Sequence, residues 1–170
     1  MTTIDALKRS NYTGRYYVVI DNEDKEIETY LKLYGNKVII FDKTEYSKHI
    51  DSCDLIDDRC AIVYARNKCF DLAEEMCIDY FLELDDDFTK FEYRRPRNGH
   101  LKHIVCKQLD VLFERMIDFL EETHALTVTL SQGGDFIGGE ESKVYKDRLA
   151  RKAMNTFFCK TSNRINFLEE

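Results

Sequence analysis

Phe81-Leu82-Glu83-Leu84-Asp85-Asp86-Asp87-Phe88 is the stretch on which the fold turns. An apolar run entered from a helical pattern reads as a buried strand of an α/β sheet. In such sheets the ligand sits beyond the carboxyl ends of the strands. Asp85, Asp86 and Asp87 therefore stand at the mouth of a site, where three like charges repel. A divalent cation with oxygen ligands relieves that repulsion, and Mg²⁺ usually arrives with substrate phosphates. The bland alternative is an acidic turn solvated at a strand end.

Upstream, the pattern of strand, helix and strand appears twice. Tyr16-Tyr17-Val18-Val19-Ile20 is aromatic and β-branched, a strand by propensity, ending in Asp21-Asn22-Glu23-Asp24. Ile27, Tyr30, Leu31 and Tyr34 follow at helical spacing, and Gly35 closes that helix. Val38-Ile39-Ile40-Phe41 is the next strand, ending at Asp42-Lys43. This is a βαβ unit with parallel strands. Residues 43 to 60 are polar and irregular. A helix is expected from Ile62, with Ala65, Cys69, Leu72, Ala73 and Met76 on one face and Arg66 and Asn67 one step off it. It feeds the aspartate strand, which makes three parallel strands. Residues 1 to 15 read as a lead-in without periodicity.

Downstream the character changes. Arg94-Arg95-Pro96-Arg97-Asn98-Gly99-His100, with Lys102, reads as a basic loop that meets phosphates or is simply solvated. His100, His103 and Cys106, three residues apart, read as the start of a helix rather than a metal site. That helix is expected over Ile104 to Glu122, with Leu109, Leu112, Phe113, Met116, Phe119 and Leu120 inward. Leu126 to Ser131 is a strand, and it opens into Gln132-Gly133-Gly134-Asp135-Phe136-Ile137-Gly138-Gly139. Glycines there permit positive φ and close backbone approach to a ligand, and Asp135 is a candidate base or hydroxyl-binding carboxylate. The loop lacks the G-K-[ST] of a P-loop and does not open as G-x-G-x-x-G. Ala153 to Cys159 is the last expected strand.

Composition bounds the function. The 170 residues suit one domain spanning 1 to 170, with 44% apolar and 34% charged residues, a globular mixture. The net charge of −7 gives no global pull toward nucleic acid or anionic membrane, so any DNA partner needs a local basic face. No run is long and apolar enough for a membrane span, and the N-terminus lacks a signal-peptide shape. The reading is a cytoplasmic protein with no membrane partner. The six cysteines show no C-x-x-C, so reduced, mostly buried thiols are expected.

The ordered set of motifs resembles a known family. Val19-Ile20-Asp21-Asn22-Glu23-Asp24, Val38-Ile39-Ile40-Phe41-Asp42-Lys43, Tyr64-Ala65-Arg66-Asn67-Lys68-Cys69-Phe70-Asp71, Leu84-Asp85-Asp86-Asp87-Phe88, the glycine-rich loop, and Arg151-Lys152-Ala153-Met154-Asn155-Thr156-Phe157-Phe158-Cys159 occur in that order. This resembles the TET/JBP-associated glycosyltransferases, found largely in bacteriophages, over about residues 15 to 167. The resemblance implies an α/β GT-A fold of the nucleotide-diphospho-sugar transferase type: three α/β/α layers around a mostly parallel central sheet. It implies transfer of a sugar from a nucleotide sugar, a UDP-sugar, onto hydroxymethylated pyrimidines in DNA. By that likeness Asp87 holds Mn²⁺ or Mg²⁺ on the diphosphate, and Asp85 contacts the ribose or the metal, with Asp86 beside them. Arg66 and Asn67 contact the nucleotide or brace the aspartates. Asp21 and Asp42 meet the base and ribose. Gln132, Gly133 and Gly134 line the donor, and Asp135 binds the donor sugar or acts as general base. Arg94, Arg95 and Arg97 are the candidate DNA contacts.

Relatives of this kind typically continue past the Asn-Phe-Leu region. The resemblance therefore implies a truncated or minimal form with a short or unpaired final edge, and it leaves open a non-catalytic nucleotide-sugar-binding remnant or interaction domain. Asp85-x-Asp87-x-Thr89 also resembles the first motif of haloacid-dehalogenase-type phosphatases, with Asp85 as nucleophile, Asp87 as acid/base, and Ser131 and Lys152 in support. The acidic pair that this second family requires after a further strand is not found downstream of Lys152.

Overall fold

The computed structural model describes residues 2–48, 62–142 and 155–167. In chain order the helices are α1 (Thr2–Arg9), α2 (Ile27–Tyr34), α3 (Lys43–Ser47), α4 (Val63–Glu75) and α5 (Leu109–Thr123). The strands are β1 (Val18–Asp21), β2 (Val38–Phe41), β3 (Tyr80–Leu84), β4 (Glu92–Arg97), β5 (His100–Val105), β6 (Thr127–Val128) and β7 (Thr156–Lys160). They build two compact units, one of Met1–Gly14 with Leu82–Cys159 and one of Arg15–Phe81 with Lys160–Glu170.

The unit of Arg15–Phe81 contains the expected βαβ element. β1 pairs parallel with β2, Val18 opposite Val38 through Asp21 opposite Phe41. α2 ends where Gly35 takes φ +55° and its N–H closes on the Leu31 carbonyl, a conformation that favours glycine. Phe41, Val63 and Tyr64 are buried together, with Val19, Tyr46, Ala65 and Phe167 packed on them. α4 buries Leu72 and Ala73 as expected, but the rest of its inward stripe differs. Val63, Tyr64, Asn67, Phe70, Leu72 and Ala73 are buried, whereas Ala65, Cys69 and Met76 are half-buried. The stripe runs through a polar residue, because a buried amide with both ends hydrogen-bonded is tolerated where an unpaired one is not. The tail after β7 returns to α4, where Arg164 Nη1 donates to Asp71 Oδ1 at 2.6 Å.

The other unit departs further from expectation. The lead-in is helical: α1 buries Thr3, Ile4, Ala6 and Leu7. β3 belongs to a sheet of order β3-β7-β6, not to the β1-β2 pair, and β6 and β7 run antiparallel. Among the described residues the strands therefore form three small sheets, with parallel pairing seen at β1-β2, rather than one mostly parallel sheet. The fold is mixed α/β.

The basic stretch is a hairpin and not a loop. β4 and β5 pair antiparallel from Glu92 opposite Val105 to Arg97 opposite His100. Asn98 and Gly99 both take positive φ, 53° and 77°, the signature of a two-residue type I′ turn. His100 and His103 accordingly lie on a strand, and α5 begins five residues later than expected, at Leu109. Leu109, Met116 and Leu120 are its buried stripe, while Phe119 is 51% exposed.

An aromatic ladder knits this core. Phe91 stacks on Phe88 at 5.8 Å and meets Phe113 edge-on at 6.4 Å, and Phe113 in turn contacts Tyr12 and Phe158. Such pairs add about 0.5–1.5 kcal/mol each beyond their burial. Cys106 and Cys159 are buried free thiols, Cys69 is half-buried and Cys77 is exposed; Cys53 and Cys60 lie outside the described residues. Burial, with the Glu83 carboxylate nearby, pushes the Cys159 thiol up to about 12. Residues 144 to 152, including Lys152, also lie outside the described residues.

Candidate active site

β3 delivers the aspartates as expected, and α1 fixes the turn that carries them. The Asp85 N–H donates to the Asn155 carbonyl at 3.3 Å. Thr3 Oγ1 donates to the Asp85 carbonyl at 2.6 Å and accepts from the Phe88 N–H at 2.9 Å. The Asp86 carbonyl accepts from the Thr3 N–H at 3.3 Å and from Thr2 Oγ1 at 2.9 Å. Arg9 Nη2 reaches the Thr89 carbonyl at 2.7 Å. Backbone groups on both sides of the triplet are thus tied down, and the carboxylates of Asp86 and Asp87 are left over. Asp86 and Asp87 are exposed, and among the described residues neither carboxylate has a hydrogen-bond or ion-pair partner. Asp85 is half-buried.

That donor set fits one kind of metal site. Among the described residues no group of three or more His, Cys, Asp or Glu is placed to hold a metal ion. One or two free carboxylates suit a hard cation that keeps waters and completes its shell with substrate phosphates.

The glycine-rich segment makes a 3-10 turn over Gly133–Phe136, which contains Asp135. Gly138 and Gly139 follow at φ +98° and +61°. At Gly134 a Cβ would meet open space, so this stretch is bare backbone. Gln132 precedes it, half-buried. The Arg94 guanidinium lies 5.3 Å from the Phe136 ring centre. Arg94 also pairs with Glu92 at 3.6 Å, and His103 Nδ1 sits 3.1 Å from the same Glu92 oxygen. Burial acts to raise the Glu92 carboxyl, but hydrogen bonds from Lys90 and His103, with their charges, outweigh it and leave it lowered.

In the unit of Arg15–Phe81, the two parallel strands also end in aspartates. Asp21 Oδ1 accepts from the Glu23 N–H at 2.9 Å, and its Oδ2 pairs with Lys43 Nζ at 3.2 Å. Asp42 caps α3, accepting from the Glu45 N–H at 2.9 Å. Arg66 is half-buried with its guanidinium 5.6 Å from the Phe167 ring. Asn67 is fully buried, and its amide clamps the Phe167 backbone in both directions, Nδ2 to the carbonyl at 2.9 Å and Oδ1 from the N–H at 2.8 Å. Tyr46 donates to Asp71 at 2.8 Å, and burial plus that bond raises its phenol well above the ordinary range.

The model of TET-associated glycosyltransferases matches residues 1–169. The chain belongs to that family. It is therefore a glycosyltransferase, a class that draws sugar from an activated nucleotide donor. No curated protein and no solved structure matches the chain. Among the described residues no helix is long and apolar enough to cross a membrane. Thr2, Thr3 and Asp71 were not legible as site-building residues. Threonines ahead of an Ile-x-x-Leu spacing were the only sign of the first two.

Proposed function

We propose that this glycosyltransferase is metal-dependent, takes a UDP-sugar as donor and delivers the sugar to a hydroxymethylated pyrimidine in DNA, in the cytoplasm of a phage-infected host. The observation that carries the reading is the pair of free carboxylates, Asp86 and Asp87, on a backbone turn pinned by Thr3. Asp87, with Asp85, holds Mn²⁺ or Mg²⁺. The cation supplies charge neutralisation on the departing diphosphate, a Lewis-acid role. Asp21 and Asp42 receive the base and ribose at the ends of β1 and β2, where a parallel pair directs ligands. That βαβ element also supports a GT-A type of fold. Arg66 serves the nucleotide, and Asn67 keeps the helix beneath it in place.

In the transfer, the acceptor hydroxyl oxygen forms a bond to the sugar's anomeric carbon. The bond from that carbon to the diphosphate oxygen breaks, and UDP leaves with the electron pair. The hydroxyl proton passes to a base, for which Asp135 is the candidate. Bare backbone at Gly133 and Gly134, with Gln132, gives the sugar a close approach.

Calorimetric titration of UDP and UDP-glucose, with and without Mn²⁺, tests this on the wild type and on Asp87→Asn. Metal-dependent binding that disappears in the variant is the expected result. A wild type that binds neither ligand in the presence of Mn²⁺ would overturn the UDP-donor reading.

A further inference from the structure

The β4-β5 hairpin sorts its charges by face. Side chains alternate along a strand, so the register puts Glu92, Arg94 and His103 on one face and Arg95, Arg97, Lys102 and His100 on the other. The first face is internally neutralised: Glu92 takes Arg94 and His103, and the side chains of Glu92 and Arg94 are only 10% and 17% exposed. The second face has no such compensation. Arg95 stands directly opposite Lys102, and Arg97 opposite His100. All four are exposed, and among the described residues none has an acidic partner. Like charges directly opposed across a ladder are destabilising, so the pairing of Arg95 with Lys102 is a cost to the free protein. Tyr93 and Ile104, opposed at the base of the same face, are each 37% exposed.

We infer that this face of the hairpin is a docking surface for the phosphate backbone of duplex DNA. Charge complementarity carries the inference. Residues two apart on a strand lie ~7 Å apart, and facing strands lie ~5 Å apart. The cations therefore spread over more than one phosphate and suit a polymer better than a single nucleotide. A two-stranded ribbon is also narrow enough to lie in the major groove of B-DNA. The chain as a whole is acidic, at −7, so nucleic acid needs a local source of attraction, and this patch supplies one. Arg94 is excluded from the surface by its face: it is spent on Glu92 and on the Phe136 ring. That the bound duplex is the sugar acceptor rests on the function proposed above; the surface itself rests on the hairpin.

The test is fluorescence anisotropy of a short labelled hydroxymethylated duplex against the full chain over a salt series. Wild type is compared with the triple variant Arg95→Gln, Arg97→Gln, Lys102→Gln and with Arg94→Gln. Removing three phosphate contacts should flatten the slope of log affinity against log salt by about 2.7. A fourfold rise in salt then costs the wild type ~40-fold more affinity than the triple variant. Arg94→Gln should keep the wild-type slope. Equal slopes in wild type and triple variant would overturn the inference, as would flattening by Arg94→Gln to the same degree. Anionic vesicles that bind the wild type in place of the duplex, and lose that binding in the triple variant, would also overturn it in favour of a membrane. UDP titration of the wild type with Mn²⁺ separates the two readings. Salt-sensitive DNA binding lost in the variant, together with no metal-dependent donor binding in wild type, keeps the surface and removes the UDP reading.

Discussion

Two places in this chain end a strand in aspartate, and they use the carboxylates differently. At the ends of β1 and β2, Asp21 is occupied by the Glu23 N–H and Lys43, and Asp42 by the first turn of α3. After β3 the hydrogen bonds to the turn go to backbone atoms and are supplied by Thr2, Thr3 and Asn155, so Asp86 and Asp87 remain free. The difference teaches where to look for a ligand site. An aspartate at a strand end is informative only when something else has already satisfied the local backbone. At Asp42 the side chain does that work itself; at Asp87 a hydroxyl from another helix does it instead.

The comparison can be broken most decisively by metal-dependent donor binding. Asp87→Asn should abolish the Mn²⁺-dependent part of UDP affinity, a loss of ~100-fold or more if the cation supplies several kcal/mol at the diphosphate. Next in size is the clamp. Thr3→Val keeps the side-chain shape but leaves the Phe88 N–H and the Asp85 carbonyl without their hydroxyl partner. Such a loss costs about 2 kcal/mol, read as a fall of roughly 4–8 °C in Tm by calorimetry. A variant as stable as the wild type would mean that the turn holds itself.

Asp42→Asn sharpens the contrast from the other side. Asparagine caps a helix about as well as aspartate, so stability should stay within about 0.5 kcal/mol. If Asp42 also meets the ribose, UDP affinity should fall about tenfold, the effect of a charge-assisted hydrogen bond of ~1.5 kcal/mol. Unchanged affinity would make Asp42 a cap alone.

The smallest effect concerns a carboxylate committed to cations. Glu92 is lowered from 4.5 in the folded protein. Its stabilising contribution is therefore present above the ordinary glutamate range and is lost as pH falls through the lower folded value. Glu92→Gln should remove that part of the acid-side slope in a Tm-versus-pH series, while Asp86→Asn, at an exposed and unpaired carboxylate, should leave it in place.

Sequence patterns carried the local elements well where spacing and turn chemistry agree. β2 falls on Val38–Phe41 as read, and the βαβ element is present. The Asn98-Gly99 dipeptide was an available hairpin signal; the arginines around it read as loop because charge marks exposure, not conformation. α1 escaped because eight residues hold too few periods to register a stripe, and its helix is sustained by burial of Ile4, Ala6 and Leu7. Asn67 reads as a nucleotide contact or a brace for the aspartates, and nothing local says that Phe167, a hundred residues on, will take its amide at both ends.

By itself the sequence determined the elements whose causes are local: the β-branched runs, the glycine that ends α2, the aspartates at strand ends and the ordered motifs that mark a glycosyltransferase. Only the tertiary structure decided which strands share a sheet, that β3 pairs with β7 rather than joining β1 and β2, and which carboxylates remain free. Those outcomes depend on partners distant in the chain. Strand pairing and the saturation of polar groups are set by what packing brings within hydrogen-bond reach, and Thr3 at the Asp85 carbonyl, 82 residues away, is such a partner.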